Sequence, residues 1–417
     1  MKQKVTKPEK VGMSRERLER IRPAMQTFVD SGSFAGLSTM IARKGKVVHF
    51  EQVGQMDKEA NVPMSADAIF RIYSMTKPIV SVALMTLYEH GKFLLDDPVG
   101  KFIPAFNDLK VFDSYQDGEL KTVDLDRPVT IKHLLTHTSG LTYDFLEDSP
   151  VSEIYRQARL MNDASRTLEE MIDQLAQLPL AYQPGTIWHY SVGIDVAARL
   201  VEIISGQTLG DYLQKTIFAP LKMKDTRFAV PDKKLSRLAT MYGLPDIGGM
   251  GNSMSTFGEA WLNGFNERLD VSQTNPTDQP ETFARGGHGL FSTAWDYMRF
   301  AQMLLNGGEL NGAKILGRKT IDLMVINHLP ASLLPFKVAD PPNYGYGFGL
   351  GSRVLMDVAE SQIPGSVGEH GWAGAASTYF WIDPQEELIG IMLSQAMVYP
   401  EKPQNVLQIL AYQALVD

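Results

Sequence analysis

Apolar and polar residues alternate along the chain in two widely separated places. Leu37 to Ala42 and Val47 to Val53 flank Arg43-Lys44-Gly45-Lys46, a pattern that predicts two antiparallel strands joined by a tight turn. Near the C-terminus, Ser377 to Ile382 and Leu388 to Ser394 bracket Asp383-Pro384-Gln385-Glu386 in the same way. Elsewhere the apolar period is helical. Leu18, Ile21, Met25 and Phe28 predict one amphipathic helix over 14–31, and Asn405 to Leu415 predicts another at the end of the chain. Between the two strand pairs, helices are predicted over 130–135, 167–177, 193–205 and 209–217.

Strands at both ends with helices between them imply an α/β (α+β) fold, with an antiparallel sheet built from both termini and flanked by helices. A mainly helical domain is inserted into it. The reading assigns residues 1–95 and 281–417 to the sheet domain and 96–280 to the helical one. Residues 244–282, rich in Gly, Asn, Ser, Met and Pro, read as a long loop or lid. The chain shows no internal repeat and no low-complexity tract.

A further helix follows Ser74-Met75-Thr76-Lys77, with Ile79, Val80, Ala83, Leu84, Leu87 and Tyr88 at helical spacing and Gly91 as its stop. Pro78 is tolerated because it falls in the first turn. The extended run Ala68 to Tyr73 leads into it. Positions i and i+3 share a helix face, so the Lys77 amine can lie beside the Ser74 hydroxyl, as an activated nucleophile requires. Taken alone, the same string reads equally as a solvated serine and lysine opening a core helix.

Two other segments carry candidate chemistry. Tyr190, in Trp188-His189-Tyr190-Ser191-Val192-Gly193, precedes a helix start and can project into a cleft. A lysine ammonium nearby would lower its pKa and let it accept the serine proton; a lone tyrosine here more often packs the loop. The small residues of His370-Gly371-Trp372-Ala373-Gly374-Ala375-Ala376 allow close approach of a ligand and a backbone N–H for a developing oxyanion, or else a bulge.

Composition narrows the classes. The chain has 417 residues, 44% hydrophobic and 21% charged, enough for two packed domains. A net charge of −8 without a Lys/Arg block argues against a nucleic-acid partner. Cysteine is absent, which excludes thiol nucleophiles, disulfides and thiolate metal sites. The charged N-terminal stretch, broken by Pro8 and Pro23, does not read as a signal peptide, and no apolar run approaches the roughly 18 residues that span a bilayer. A soluble cytoplasmic protein with no membrane partner is expected, and oligomeric state stays open.

No serine has glycine two positions away on both sides, so the nucleophile elbow of the α/β-hydrolases is missing. The eight histidines include no H-E-x-x-H, and a metal at His133 and His137, four residues apart, is disfavoured; no cofactor is expected. His370 is expected to pack rather than act as a base.

The order Ser74-x-x-Lys77, Tyr190-Ser191-Val192, Trp372-Ala373-Gly374 resembles that of the serine β-lactamase and penicillin-binding-protein superfamily. It is closest to the class C β-lactamase-like branch known as family VIII carboxylesterases. His133 to Leu141, Gly286-Gly287-His288-Gly289-Leu290 and Tyr344 to Gly349 are similar to that branch too, and the likeness runs from about residue 10 to the C-terminus. Where class C enzymes carry Tyr-x-Asn this chain has Val192, and where they carry Lys-Thr-Gly it has Trp372-Ala373-Gly374. Both changes make the cleft less polar and favour neutral esters over anionic lactams.

The resemblance implies a serine carboxylesterase for small to medium acyl esters, working through an acyl-enzyme on Ser74. Lys77 and Tyr190 would share the proton traffic, with the base unassigned. The backbone N–H groups of Ser74 and Ala375 would hold the oxyanion, and Trp372 with Gly374 would line the substrate pocket. A helix N-terminus at Ser74 would add a favourable dipole. A β-lactamase, D-alanyl peptidase or acyltransferase using the same nucleophile is the alternative.

Overall fold

Lys44 and Gly45 both take left-handed backbone angles, φ 48° and 71°, the turn geometry that matches strand twist. They fold β1 (Gly36–Arg43) back on β2 (Lys46–Asp57). The computed structural model describes residues 4–146, 149–243, 267–279, 282–338, 341–397 and 401–417. β3 (Val62–Pro63) edges the sheet beside β2. The remaining strands come from the C-terminal third: β4 (Tyr346–Phe348), β5 (Arg353–Leu355), β6 (His370–Gly374), β7 (Thr378–Asp383) and β8 (Leu388–Ser394).

These form one eight-stranded antiparallel sheet in the order β4-β5-β6-β7-β8-β1-β2-β3. The two ends of the chain meet where β8 pairs with β1, from Leu37 opposite Ser394 to Arg43 opposite Leu388. β1 and β8 are buried along their whole length, because both faces of the sheet are covered. On one face Leu37, Ile41, Trp381 and Met392 pack with Ile21, Met25, Leu407 and Ala411 of the terminal helices. On the other, Met40, Phe380 and Ile391 join the main core with the helix Thr76–Glu89.

The helix expected over 14–31 is broken into Arg15–Leu18 and Ile21–Asp30. Pro23 has no N–H for the Glu19 carbonyl, so it fits only in the first turn of a new helix. The C-terminal helix is Pro403–Tyr412. In the middle of the chain, Ile131–Leu135 and Leu168–Leu175 start at capping boxes, Thr130 with His133 and Thr167 with Glu170. Gly193–Ser205 is as the period predicts, while Leu209–Leu213 continues into a π-helical turn, Gln214–Phe218.

Elements that escaped the pattern include the helices Pro150–Gln157, Ala294–Leu305 and Arg318–Met324, the strands β4 and β5, and the exposed hairpin of Lys110–Gln116 with Glu119–Asp124. Of the loop expected over 244–282, residues 267–279 and 282 are described, and Glu267–Arg268 pairs with Tyr242–Gly243. The rest of that loop lies outside the described residues.

The helix Thr76–Glu89 is buried on every side from Thr76 to Leu87 and packs against Gly193–Ser205. Its sequence is apolar nearly all round, as a helix enclosed by a core must be. Among the described residues, no helix is long and apolar enough to cross a membrane.

Candidate active site

The turn that presents Ser74 is strained. Phe70–Arg71 pairs with Phe291–Ser292, and the chain then enters a 3-10 turn, Tyr73–Met75, one step before the α-helix begins at Thr76. Tyr73 has φ 42°, a left-handed conformation that costs an aromatic residue of order 1–3 kcal/mol. Surrounding contacts hold it there. The Tyr73 ring is buried with Met241, Val271 and Ala376, the Met75 N–H donates to the Ile72 carbonyl at 3.0 Å, and the Tyr297 hydroxyl donates to the Met75 carbonyl at 3.0 Å.

Lys77 lies one turn on, 1% exposed. Its Nζ donates to Ser74 Oγ at 3.0 Å and to the Gly287 carbonyl at 2.8 Å. The ammonium site sits 4.5 Å from the centre of the Tyr190 ring and 5.2 Å from that of Tyr143. Among the described residues it makes no direct ion pair with a carboxylate. Desolvation therefore governs it, pushing the amine down to about 7 against the opposing pull of Asp195.

Asp195 and this lysine are bridged by the backbone of one residue, Gly287. It is fully buried in the first turn of Gly193–Ser205, and its Oδ1 accepts the Gly287 N–H at 2.9 Å, while the carbonyl of the same Gly287 accepts from Lys77. Only glycine fits there. A Cβ on Gly287 would stand 2.5 Å from Asp195 Oδ2 and 2.8 Å from the Tyr143 hydroxyl. Burial raises the Asp195 carboxyl above its ordinary range.

Tyr190 is 6% exposed, and the Trp372 indole N–H donates to its hydroxyl at 3.4 Å. Its ring packs against Trp372, His137 and Tyr143, with centroids 5.7, 4.8 and 5.1 Å away. The sequence suggested a phenol acidified by lysine. Burial instead raises its pKa, outweighing the hydrogen bonds to Ser74 and Trp372, because a buried phenolate is costlier than a buried phenol.

β6 reaches the nucleophile turn through Gly374. A Cβ there would meet the Ile72 carbonyl at 2.4 Å and Thr378 Oγ1 at 2.3 Å, so only glycine lets the strand end lie against Ile72. Thr378 Oγ1 also donates to the Ile72 carbonyl at 3.3 Å. Ala375 follows, packed on the cluster that holds Tyr73.

The fold thus brings a half-buried Ser74 together with buried Lys77, Tyr190 and Trp372 and sets Gly374 and Ala375 against the entry turn. The histidines lie in other surroundings. His370 Nδ1 is 3.1 Å from the Gly368 carbonyl, and burial pushes the ring down to about 4. His133 belongs to its capping box, and His137 to the aromatic cluster around Tyr190. Among the described residues, no group of three or more His, Asp or Glu side chains is placed to hold a metal ion.

Sequence reasoning passed over Asp195, Tyr143 and the role of Gly287. The available signal for Asp195 was an acid among the apolar residues Ile194, Val196, Ala197 and Ala198 at a helix start, where a buried charge demands a partner.

The Beta-lactamase family model matches residues 21–414. Protein Rv1367c of Mycobacterium tuberculosis (strain ATCC 25618 / H37Rv) is 33% identical over 371 residues, covering 88% of this chain and 87% of that protein. Lovastatin esterase of Penicillium rubens is 29% identical over 394 residues, covering 89% and 92%. Among solved structures, EstCE1, described as a hydrolase with promiscuous acyltransferase activity, superposes with a TM-score of 0.76 at 28% identity, covering 96% of this chain and 99% of that one.

Proposed function

The chain belongs to the Beta-lactamase family, and from that premise we propose that it is a serine carboxylesterase of the family VIII type, acting on small to medium acyl esters. One observation carries the reading: a fully buried lysine without a direct carboxylate partner among the described residues, its amine 3.0 Å from a serine hydroxyl at the strained entrance to a helix.

Depressed to about 7, the Lys77 amine is substantially neutral at neutral pH and can take the Ser74 proton. Ser74 Oγ then attacks the ester carbonyl. The negative oxygen of the tetrahedral adduct rests between the N–H groups of Ser74 and Ala375. Tyr190, kept as a phenol by burial, supplies the proton that the departing alkoxide needs and recovers one from Lys77. Acyl-Ser74 and free alcohol are the products of this half. Water repeats the sequence in reverse, leaving carboxylic acid and restored Ser74. An alcohol in place of water would give acyl transfer, a reading favoured by the description of EstCE1.

Trp372 and Gly374 form part of the substrate wall in this reading. The indole brings no cation for a lactam carboxylate, which favours neutral esters. The test is turnover of p-nitrophenyl acetate, butyrate and octanoate, abolished in Ser74→Ala, with a fluorophosphonate labelling Ser74. Nitrocefin cleaved far faster than any of these esters would replace the esterase by a β-lactamase.

A further inference from the structure

Away from the catalytic cluster, a cavity of about 800 Å³ gathers cations from four separate parts of the chain. Lys4 and Lys10 come from the N-terminal arm, Lys46 from the start of β2, Lys222 from the end of a short helix, and Arg299 from the helix Ala294–Leu305. Among the described residues, no carboxylate lines it, although the chain as a whole carries 48 acidic against 40 basic side chains.

The convergence is built by the fold and not by a run of lysines. Thr6 donates its backbone N–H to the Val47 carbonyl at 2.7 Å, which ties the N-terminal arm to β2. Arg299, Gln302 and Asn306 share one face at i, i+3 and i+7, so the last turns of the helix present a guanidinium and two amides to the same space. Lys222 holds φ 58°, a left-handed position that glycine or asparagine occupies more readily.

Two acidic groups near the N-terminal arm and the β1–β2 turn are paired with other cations, and Glu309, which precedes Leu310, does not line the cavity. Glu9 pairs with Arg15 at 3.5 Å, and Asp417 pairs with Arg43 and Lys44. Lys4, Lys10, Lys46 and Lys222 have no carboxylate partner among the described residues. Like charges that face one space repel, and an anion between them reverses the sign of the interaction.

We propose that this cavity is a binding site for a small, multiply charged anion of the polyphosphate or phosphorylated-metabolite class. Its volume lies within the range of small-molecule sites, and the Gln302 amide, which donates to Asn306 Oδ1 at 2.8 Å, and the Asn306 amide, which donates to the Glu309 carbonyl at 3.0 Å, brace the wall beside the cations. A membrane surface fits less well, because the apolar residues of the lining, Val47 and Leu310, are themselves buried and offer nothing to insert. The site is distinct from the catalytic cluster. Tyr297, on the same helix, touches the nucleophile turn, whereas Arg299, Gln302 and Asn306 face the cavity.

The test is calorimetric titration of the whole chain with sodium tripolyphosphate and with ADP at near-physiological salt. In parallel, the chain is sedimented with phosphatidylglycerol–phosphatidylcholine vesicles. Saturable binding of one equivalent of tripolyphosphate is expected. It should weaken about tenfold or more in Lys10→Glu/Lys46→Glu, which removes two charge-assisted contacts, with melting temperature and ester turnover unchanged. A matched control, Lys92→Glu/Lys215→Glu, should bind as the parent does. Absence of saturable binding, equal weakening in both double variants, or attachment to anionic vesicles without binding of free tripolyphosphate would each overturn the proposal.

Discussion

Two buried polar networks occupy the two faces of the sheet, and they handle charge in opposite ways. Against the C-terminal helix, Arg353 faces Glu369 at 3.5 Å and also bonds Tyr379. Gln408 donates to Glu369 at 2.7 Å, and the Tyr412 hydroxyl lies 3.0 Å from Glu369 and 2.8 Å from Asp383. Around Ser74, by contrast, Lys77 has among the described residues only a hydroxyl and a carbonyl as hydrogen-bond partners, and Asp195 is linked to it through the backbone of Gly287. The first network raises the pKa of its cation and the second lowers it. Charge that is directly paired holds the fold together; an amine desolvated without such a pair is available for proton transfer.

The sharpest way to break that contrast is to remove one cationic or anionic member from each network. Lys77→Met should cut kcat/KM by about a thousandfold or more, since it removes the group that takes the Ser74 proton. Its stability to urea should equal or exceed that of the parent, because a desolvated amine is exchanged for an apolar chain of similar length. Glu369→Ala should do the reverse. Leaving Arg353 buried without its carboxylate should cost about 3–5 kcal/mol of stability, with kcat per folded molecule retained. A large stability loss in Lys77→Met would show the lysine to be structural.

Acid and base sharpen the comparison further. Lys77 stands at about 7 when folded against an ordinary 10.5, so activity should rise through pH 7 and level off above it as the amine loses its proton. Between these two values the unfolded chain binds a proton that the folded chain does not, and stability should therefore increase with pH across that window. Glu369 is raised from 4.5 to about 7 by burial, against the pull of Arg353. Across that lower window the folded chain holds the extra proton, and stability should fall as pH rises. Urea titrations of the parent, Lys77→Met and Glu369→Gln should show the upper slope flattened in the first variant and the lower slope flattened in the second.

The same contrast marks what the sequence could convey. Hairpin turns such as Lys44-Gly45 and the helix starts at Thr130 and Thr167 are local chemistry, and they were legible in the sequence, although the capping boxes there were not read from it. The helix Ala294–Leu305 was not, because Trp295, Tyr297, Met298, Phe300 and Ala301 are buried round most of its circumference and leave only the narrow polar stripe of Asp296, Arg299 and Gln302. Ser74 and Lys77 are three residues apart, and their juxtaposition follows from helical geometry. The Asp195–Gly287–Lys77 connection joins distant positions through the backbone of one residue, which no spacing encodes. Whether lysine or burial would set the Tyr190 phenol depended on desolvation, a property of the assembled core.

The mildest perturbation concerns Trp372, which touches the reactive network only at its edge. Its indole donates to Tyr190 over 3.4 Å, long for an N–H···O bond, while its ring stays 5.1 Å from Phe348 and 5.7 Å from Tyr190. Trp372→Phe keeps an aromatic ring and deletes the donor. A weak bond to a neutral phenol is worth about 1 kcal/mol, so kcat should fall only a few-fold, with KM for p-nitrophenyl acetate and the melting temperature unchanged. The split between kcat and KM is the informative readout, because a packing role alone would shift melting temperature or KM. A hundredfold loss of kcat would mean that the indole, rather than Ser74 and Lys77, fixes where the Tyr190 proton points, and the catalytic network would then extend into β6.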